Sequence, residues 1–92
     1  MKIIELIRIR TGSGNSKKLL ETLQQITAEA MLGAPEGTVK LFKEDLVAGD
    51  FAYFLFWDGE SIEAEGTDLG IKIAKGLGSL GIVDYTKWTL IK

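Results

Sequence analysis

The chain has no histidine and no cysteine. Without cysteine there is no disulfide framework, no thiolate zinc site and no thiol nucleophile. Without histidine it lacks the commonest general base, the commonest metal ligand and the usual haem ligand. Proline occurs once, at Pro35. Strong charge of one sign is also missing. A net charge of −2 over 92 residues gives no electrostatic reason to expect nucleic acid or an anionic membrane as a partner. The longest aromatic run, Phe51–Trp57, is too short to span a bilayer. The apolar start, Met1–Arg10, is interrupted by acid and base, and no small-residue cleavage site follows it. It reads as a strand and not as a signal peptide. Cytoplasmic residence is the expectation, and the lack of cysteine is compatible with it. There is no linker, internal repeat or low-complexity segment, so residues 1–92 form one domain.

What is present centres on Phe51–Trp57. As a strand it places Phe51, Tyr53, Leu55 and Trp57 on one face, and Ala52, Phe54 and Phe56 on the other. Both faces are apolar, and both need cover. Lys2–Arg10 is rich in β-branched Ile and is a second such strand. Its odd face carries Ile3, Glu5, Ile7 and Ile9; its even face carries Ile4, Leu6, Arg8 and Arg10.

The segments between them follow from turn and helix signals. Thr11–Ser16 is a glycine-containing turn in which Asn15 or Ser16 can cap a helix. The helix spans Lys17–Gly33, with a stripe of Leu19, Leu20, Leu23, Ile26, Ala30 and Met31. Gly33 stops it, and Pro35 prevents a restart. Gly37–Glu44 alternates and carries charge, as an edge strand does. Gly49 turns the chain into the aromatic strand, making a hairpin. After an acidic loop, Thr67 or Asp68 caps a second helix over Asp68–Ser79, striped by Leu69, Ile73, Leu77 and Leu80. Gly70, Gly76 and Gly78 weaken it by about 1 kcal/mol each relative to Ala and allow close approach to a sheet. Val83–Ile91 is the last strand.

The order βαββαβ is the split βαβ, or ferredoxin-like, arrangement. The fold class is α+β, a four-stranded antiparallel sheet with two helices on one face. Right-handed crossovers place the first and third strands centrally. Both helices then lie on one face, taken here as the odd one; the alternative assigns the odd set to the contact with a partner. The even face is left bare with Ile4, Leu6, Phe42, Phe54, Phe56, Trp88 and Leu90, a patch of roughly several hundred Å2, the size of an interaction site. Pairing of two such sheets across a two-fold axis would bury it, so the expected partner is a second copy of the chain.

Three further groups bear on chemistry. Glu5, central in the sheet, is a buried carboxylate whose pKa burial should raise, which would suit a proton acceptor; a structural ion pair or a partly wet site is the alternative. Ile7, Tyr53, Trp57 and Tyr85 share its face and could line an apolar pocket for a small aromatic ligand, or simply fill the core. Gly76–Gly81 spells a GxGxxG run, but it closes a helix instead of opening one, so a glycine cap explains it better than a dinucleotide. Gly12–Lys18 opens a helix with two lysines, yet lacks P-loop spacing and reads as a capped turn. The pairs Asp45/Asp50 and Asp58/Glu60 read as solvated turn acids before cation ligands. No metal and no cofactor is expected.

With this layout the chain resembles the dimeric α+β barrel superfamily, most closely its antibiotic biosynthesis monooxygenase-like domains. The resemblance spans nearly the whole chain. It rests on the opening strand Ile4–Ile9, the Gly14 turn, the helix Leu19–Met31, and the aromatic strand ending in Trp57 and running on through Ser61, Glu63 and Ala64. It implies a homodimer. It also implies a cofactor-independent monooxygenase-like activity on a small aromatic or quinone-like compound; for such an activity the residues read above offer Glu5 as the best available proton acceptor and Tyr53, Trp57 and Tyr85 to hold the ring. The alternative is a non-catalytic dimeric module of the same fold that binds a small ligand or a protein. Haem-degrading members use a histidine and a first-strand asparagine. This chain has neither, with Ile7 on that strand and only Trp57 matching.

Overall fold

The computed structural model describes residues 2–12, 17–59 and 65–92. Six elements follow in order: β1 (Lys2–Arg10), α1 (Lys17–Met31), β2 (Val39–Lys43), β3 (Asp50–Asp58), α2 (Asp68–Leu77) and β4 (Ile82–Thr89). The strands form one antiparallel sheet in the order β2-β3-β1-β4. The two most apolar strands are therefore central and the two more charged ones are at the edges, an α+β arrangement compatible with a ferredoxin-like fold.

Register follows the alternation in sequence. Ile7 sits between Tyr53 and Tyr85, and Glu5 between Leu55 and Lys87. The odd residues of β1 and β3 point into one core with the helices: Ile7, Ile9, Phe51, Tyr53 and Leu55 from the sheet, Leu19, Leu23 and Ala30 from α1, and Ile73 and Leu77 from α2. Burying each of these large side chains contributes about 1.5–3 kcal/mol, which offsets the weak intrinsic propensity of the glycine-containing α2.

The helices are shorter than their sequence patterns. α1 ends at Met31, not Gly33, and relaxes into turns in which Leu32 N–H bonds Glu29 O and Ala34 N–H bonds Met31 O. Met31 is consequently exposed and is not part of the stripe. α2 ends at Leu77, not Ser79, because Gly78 N–H turns back to Lys75 O and Leu80 N–H to Leu77 O. The expected capping residues Asn15 and Ser16 lie outside the described residues, as do the resemblance-bearing positions Gly14, Ser61, Glu63 and Ala64. Gly49 takes φ +90° in the β2–β3 turn, a conformation that favours glycine, and its carbonyl accepts bonds from both the backbone and the hydroxyl of Thr11. The hairpin is thereby tied to the end of β1. Among the described residues no helix is long and apolar enough to cross a membrane.

The even residues face away from both helices. Phe42, Phe56, Trp88 and Leu90 are exposed at 49%, 38%, 60% and 57%, large values for residues of this type within or beside a sheet. Phe54 links Phe42, edge-on at 4.9 Å, to Phe56, stacked at 6.3 Å. This makes an aromatic ridge running obliquely over β2 and β3. The face is not apolar throughout. Towards the end of β1, Arg8 and Arg10 converge on the buried carboxylate of Asp50, at 3.0 and 3.6 Å.

Candidate functional site

Glu5 is fully buried on the helix-facing side of the central strand β1. A bare carboxylate there would cost several kcal/mol. Four donors remove that cost. Trp57 at the end of β3 gives its indole N–H to Oε1 at 2.7 Å, and the Thr67 hydroxyl reaches the same oxygen at 2.5 Å. Thr67 N–H reaches Oε2 at 3.0 Å, and the Tyr85 hydroxyl of β4 reaches it at 2.7 Å. One side chain therefore ties β1 to β3, β4 and the start of α2.

Thr67 has two roles. It is the N-cap of α2, its hydroxyl oxygen accepting from Gly70 N–H at 3.0 Å. Its hydroxyl and its backbone N–H also donate hydrogen bonds to Glu5. The carboxylate thus lies at the helix N-terminus, where unpaired N–H groups and the helix dipole favour negative charge.

The expectation of a raised Glu5 pKa is overturned. Burial does push the pKa up. The bonds from the Thr67 hydroxyl, the Thr67 backbone, Tyr85 and Trp57 favour the charged form and together outweigh it, so the pKa lies below the ordinary carboxylate value. Burial and the neighbouring Glu5 charge push the Tyr85 hydroxyl well above its ordinary range, so it stays protonated and donates.

The expected pocket residues divide. Trp57 and Tyr85 meet at Glu5 and are each half-buried. Tyr53 and Ile7 are fully buried in the core. The Tyr53 hydroxyl donates to the Leu23 carbonyl at 2.6 Å, and Thr27 Oγ1 lies 3.1 Å from it. Burial pushes the Tyr53 pKa up, with the Thr27 bond working the other way. The clefts at the sheet end, beside β2 and between α2 and β4 have none of Glu5, Ile7 or Tyr53 in their walls. The first, about 720 Å3, lies at the end of the sheet where β1 begins and β3 and β4 finish. Trp57 and Trp88 both line it, with Ile4, Phe56 and Leu90. A second, about 350 Å3, lies between α2 and β4 and has Tyr85 in its wall.

Thr67 and Gly70 are the members of this arrangement that sequence reading missed. Thr67 was visible as a cap but not as a Glu5 partner. No group of three or more acids that could hold a metal occurs among the described residues. Of the paired turn acids, Asp50 is engaged by Arg8 and Arg10, and Asp58 by Lys2 at 3.8 Å; Glu60 lies outside the described residues. The GxGxxG run closes α2 and leads into β4, and a Cβ at Gly81 would collide with the Arg10 backbone. Close packing accounts for that glycine. Comparison with family models, with curated proteins and with solved structures gave no match to this chain.

Proposed function

We propose that the chain is a homodimeric small-ligand-binding module and that Glu5 is a structural carboxylate within it. The observation that carries this reading is the saturation of Glu5. Its two oxygens already accept four hydrogen bonds, and its pKa is lowered. A general base needs a free lone pair aimed at a substrate proton and a pKa near the working pH. Glu5 has neither.

The dimer is proposed from the open face of the sheet. Three strands about 27 Å long and the shorter β2 of about 17 Å, spaced about 4.8 Å apart, present somewhat under about 500 Å2 in plan, before the relief of the side chains is added. Standard interfaces bury roughly 800 Å2 per partner, which such a face approaches once its aromatic ridge is counted. Ile4, Leu6, Phe42, Phe54, Phe56, Trp88 and Leu90 supply the apolar surface. An isologous contact between two copies needs no further chain to cover it.

The contrasting proposal is a cofactor-independent oxygenase of aromatic or quinone-like compounds, as the family resemblance implies. Oxygen uptake with a panel of hydroquinones and anthrone-like phenols separates the two. The binding module gives no uptake above the uncatalysed rate. Uptake that Glu5→Gln abolishes, in a variant still folded by circular dichroism, would establish the oxygenase instead.

A further inference from the structure

Strand register turns the open face of the sheet into a map. Alternate residues stand about 6.8 Å apart along a strand, and strands about 4.8 Å apart. Two rows cross all four strands: Phe42–Ala52–Arg8–Asp84, then Lys40–Phe54–Leu6–Thr86. A third, Phe56–Ile4–Trp88, crosses β3, β1 and β4. The large apolar side chains fill this map along one diagonal. They run from Phe42 on one edge strand, through Phe54, Leu6, Phe56 and Ile4, to Trp88 on the other. The spacings set this ridge about 40° from the strand direction. The corner beside it is charged. There Arg8 and Arg10 hold Asp50, and Asp84 stands opposite Arg8 on β4.

The diagonal restricts how a second copy can cover the face. A two-fold axis lays ridge on ridge only if it runs along the ridge, or at right angles to it within the plane of contact. In both cases the strands of the two sheets cross at about 80°, twice the tilt of the ridge. Packed sheets favour crossing angles of about 30° or about 90°. At about 30° the two ridges cross each other. The Phe42 end of each is then carried off the partner's ridge, onto charged residues or past the sheet edge. Covering the charged corner strips water from ions that already have their partners, which is a cost without a new bond. Near 90° the ridges coincide. Because each sheet is twisted, contact then follows one diagonal while the other two corners part. The charged corner keeps its water.

We infer that two copies pack with their strands crossing near a right angle, ridge upon ridge, and that the Arg8–Asp50–Arg10 corner lies outside the contact. This rests on the dimeric reading above and gives that contact its orientation.

Isotope-filtered NMR on dimers mixed from labelled and unlabelled chains reads contacts between copies alone. Cross-peaks are expected from the Phe42 ring and the Trp88 indole to apolar ridge side chains of the other copy. None is expected from Ile82, which sits at the charged corner, 68% exposed. Sedimentation of two β4 variants adds an independent readout. Both positions are exposed, so each variant should keep the wild-type circular dichroism. Trp88→Asp should weaken the dimer about tenfold or more, and Ile82→Asp should change it by no more than about twofold. Three results overturn the inference while a dimer persists: no cross-peak from Phe42 or Trp88 to the other ridge, cross-peaks from Phe42 to the arginines of the other copy, or dissociation by Ile82→Asp as strong as by Trp88→Asp. A wild type that sediments as a single copy instead sinks the dimeric reading itself, and the orientation with it.

Discussion

Gly70 of α2 touches the Glu5 carboxylate of β1: a Cβ built at Gly70 would stand 2.6 Å from Oε2 and 3.2 Å from Cδ. The carboxylate cannot swing aside without giving up donors on three other elements. Gly70→Ala therefore sets two effects against each other. Replacing glycine within a helix gains about 1 kcal/mol of propensity, while overpacking against a fixed group costs about 1–3 kcal/mol. Net destabilisation is expected in urea unfolding. An increase in stability would mean that Glu5 is free to move.

Glu5→Gln tests the acceptor pattern. The two donors that cannot rotate, Trp57 Nε1–H and Thr67 N–H, bond to different carboxylate oxygens. An amide has only one oxygen, so one fixed N–H must face an NH2 group. Leaving a buried donor unpaired costs about 1–3 kcal/mol. A loss in that range is expected, read by denaturant unfolding, and a variant as stable as wild type would contradict the network.

The same carboxylate sets a pH dependence. Its pKa is lower folded than unfolded, so its contribution is fully present above the unfolded value and is lost as pH falls through the folded one. Thermal midpoints of wild type and Glu5→Gln should differ most near neutrality and converge in acid, below the ordinary carboxylate range. A gap that widens as pH falls would reverse the sign of the shift.

Tyr85→Phe removes one of the four donors and little volume. The loss of a hydrogen bond to a charged group is worth about 1.5–3 kcal/mol, and half-exposure of the ring places the expected cost at the lower end. Titration of the Glu5 carboxyl by NMR should show its pKa rising in this variant, since a bond favouring the charged form is gone. Gly66→Ala should be more damaging than Gly70→Ala, because Gly66 combines φ +101° with a would-be Cβ 2.8 Å from the Tyr85 hydroxyl oxygen.

Much of the architecture was legible because it follows from alternation and capping. The odd–even split of β1 and β3 separated two apolar faces without deciding which meets the helices; the structure gives the odd set to them, and β1 spans the same residues in sequence and structure. The burial of Glu5 was legible for the same reason. Its electrostatics were not. The donors that lower its pKa stand 52, 62 and 80 residues away along the chain. Composition gives burial, which raises a carboxylate pKa, but only the folded geometry gives the bonds that reverse it. Tyr53 looked like a pocket residue because an aromatic with a hydroxyl suits one; its hydroxyl instead donates to the Leu23 carbonyl of α1, which also accepts from the Thr27 hydroxyl. Gly70 appeared only as a helix weakness, since the carboxylate it makes room for belongs to another strand.

Sedimentation velocity of the wild-type chain beside Phe54→Asp is the most direct test of the dimeric module. Phe54 forms the middle of the aromatic ridge, between Phe42 and Phe56, and does not line the sheet-end cleft. The wild type should sediment as two copies, and a carboxylate at position 54 should separate them by placing an unpaired charge in the contact. A wild type that stays a single, folded copy at tens of micromolar, an ordinary working range for complexes of about micromolar affinity, would contradict it.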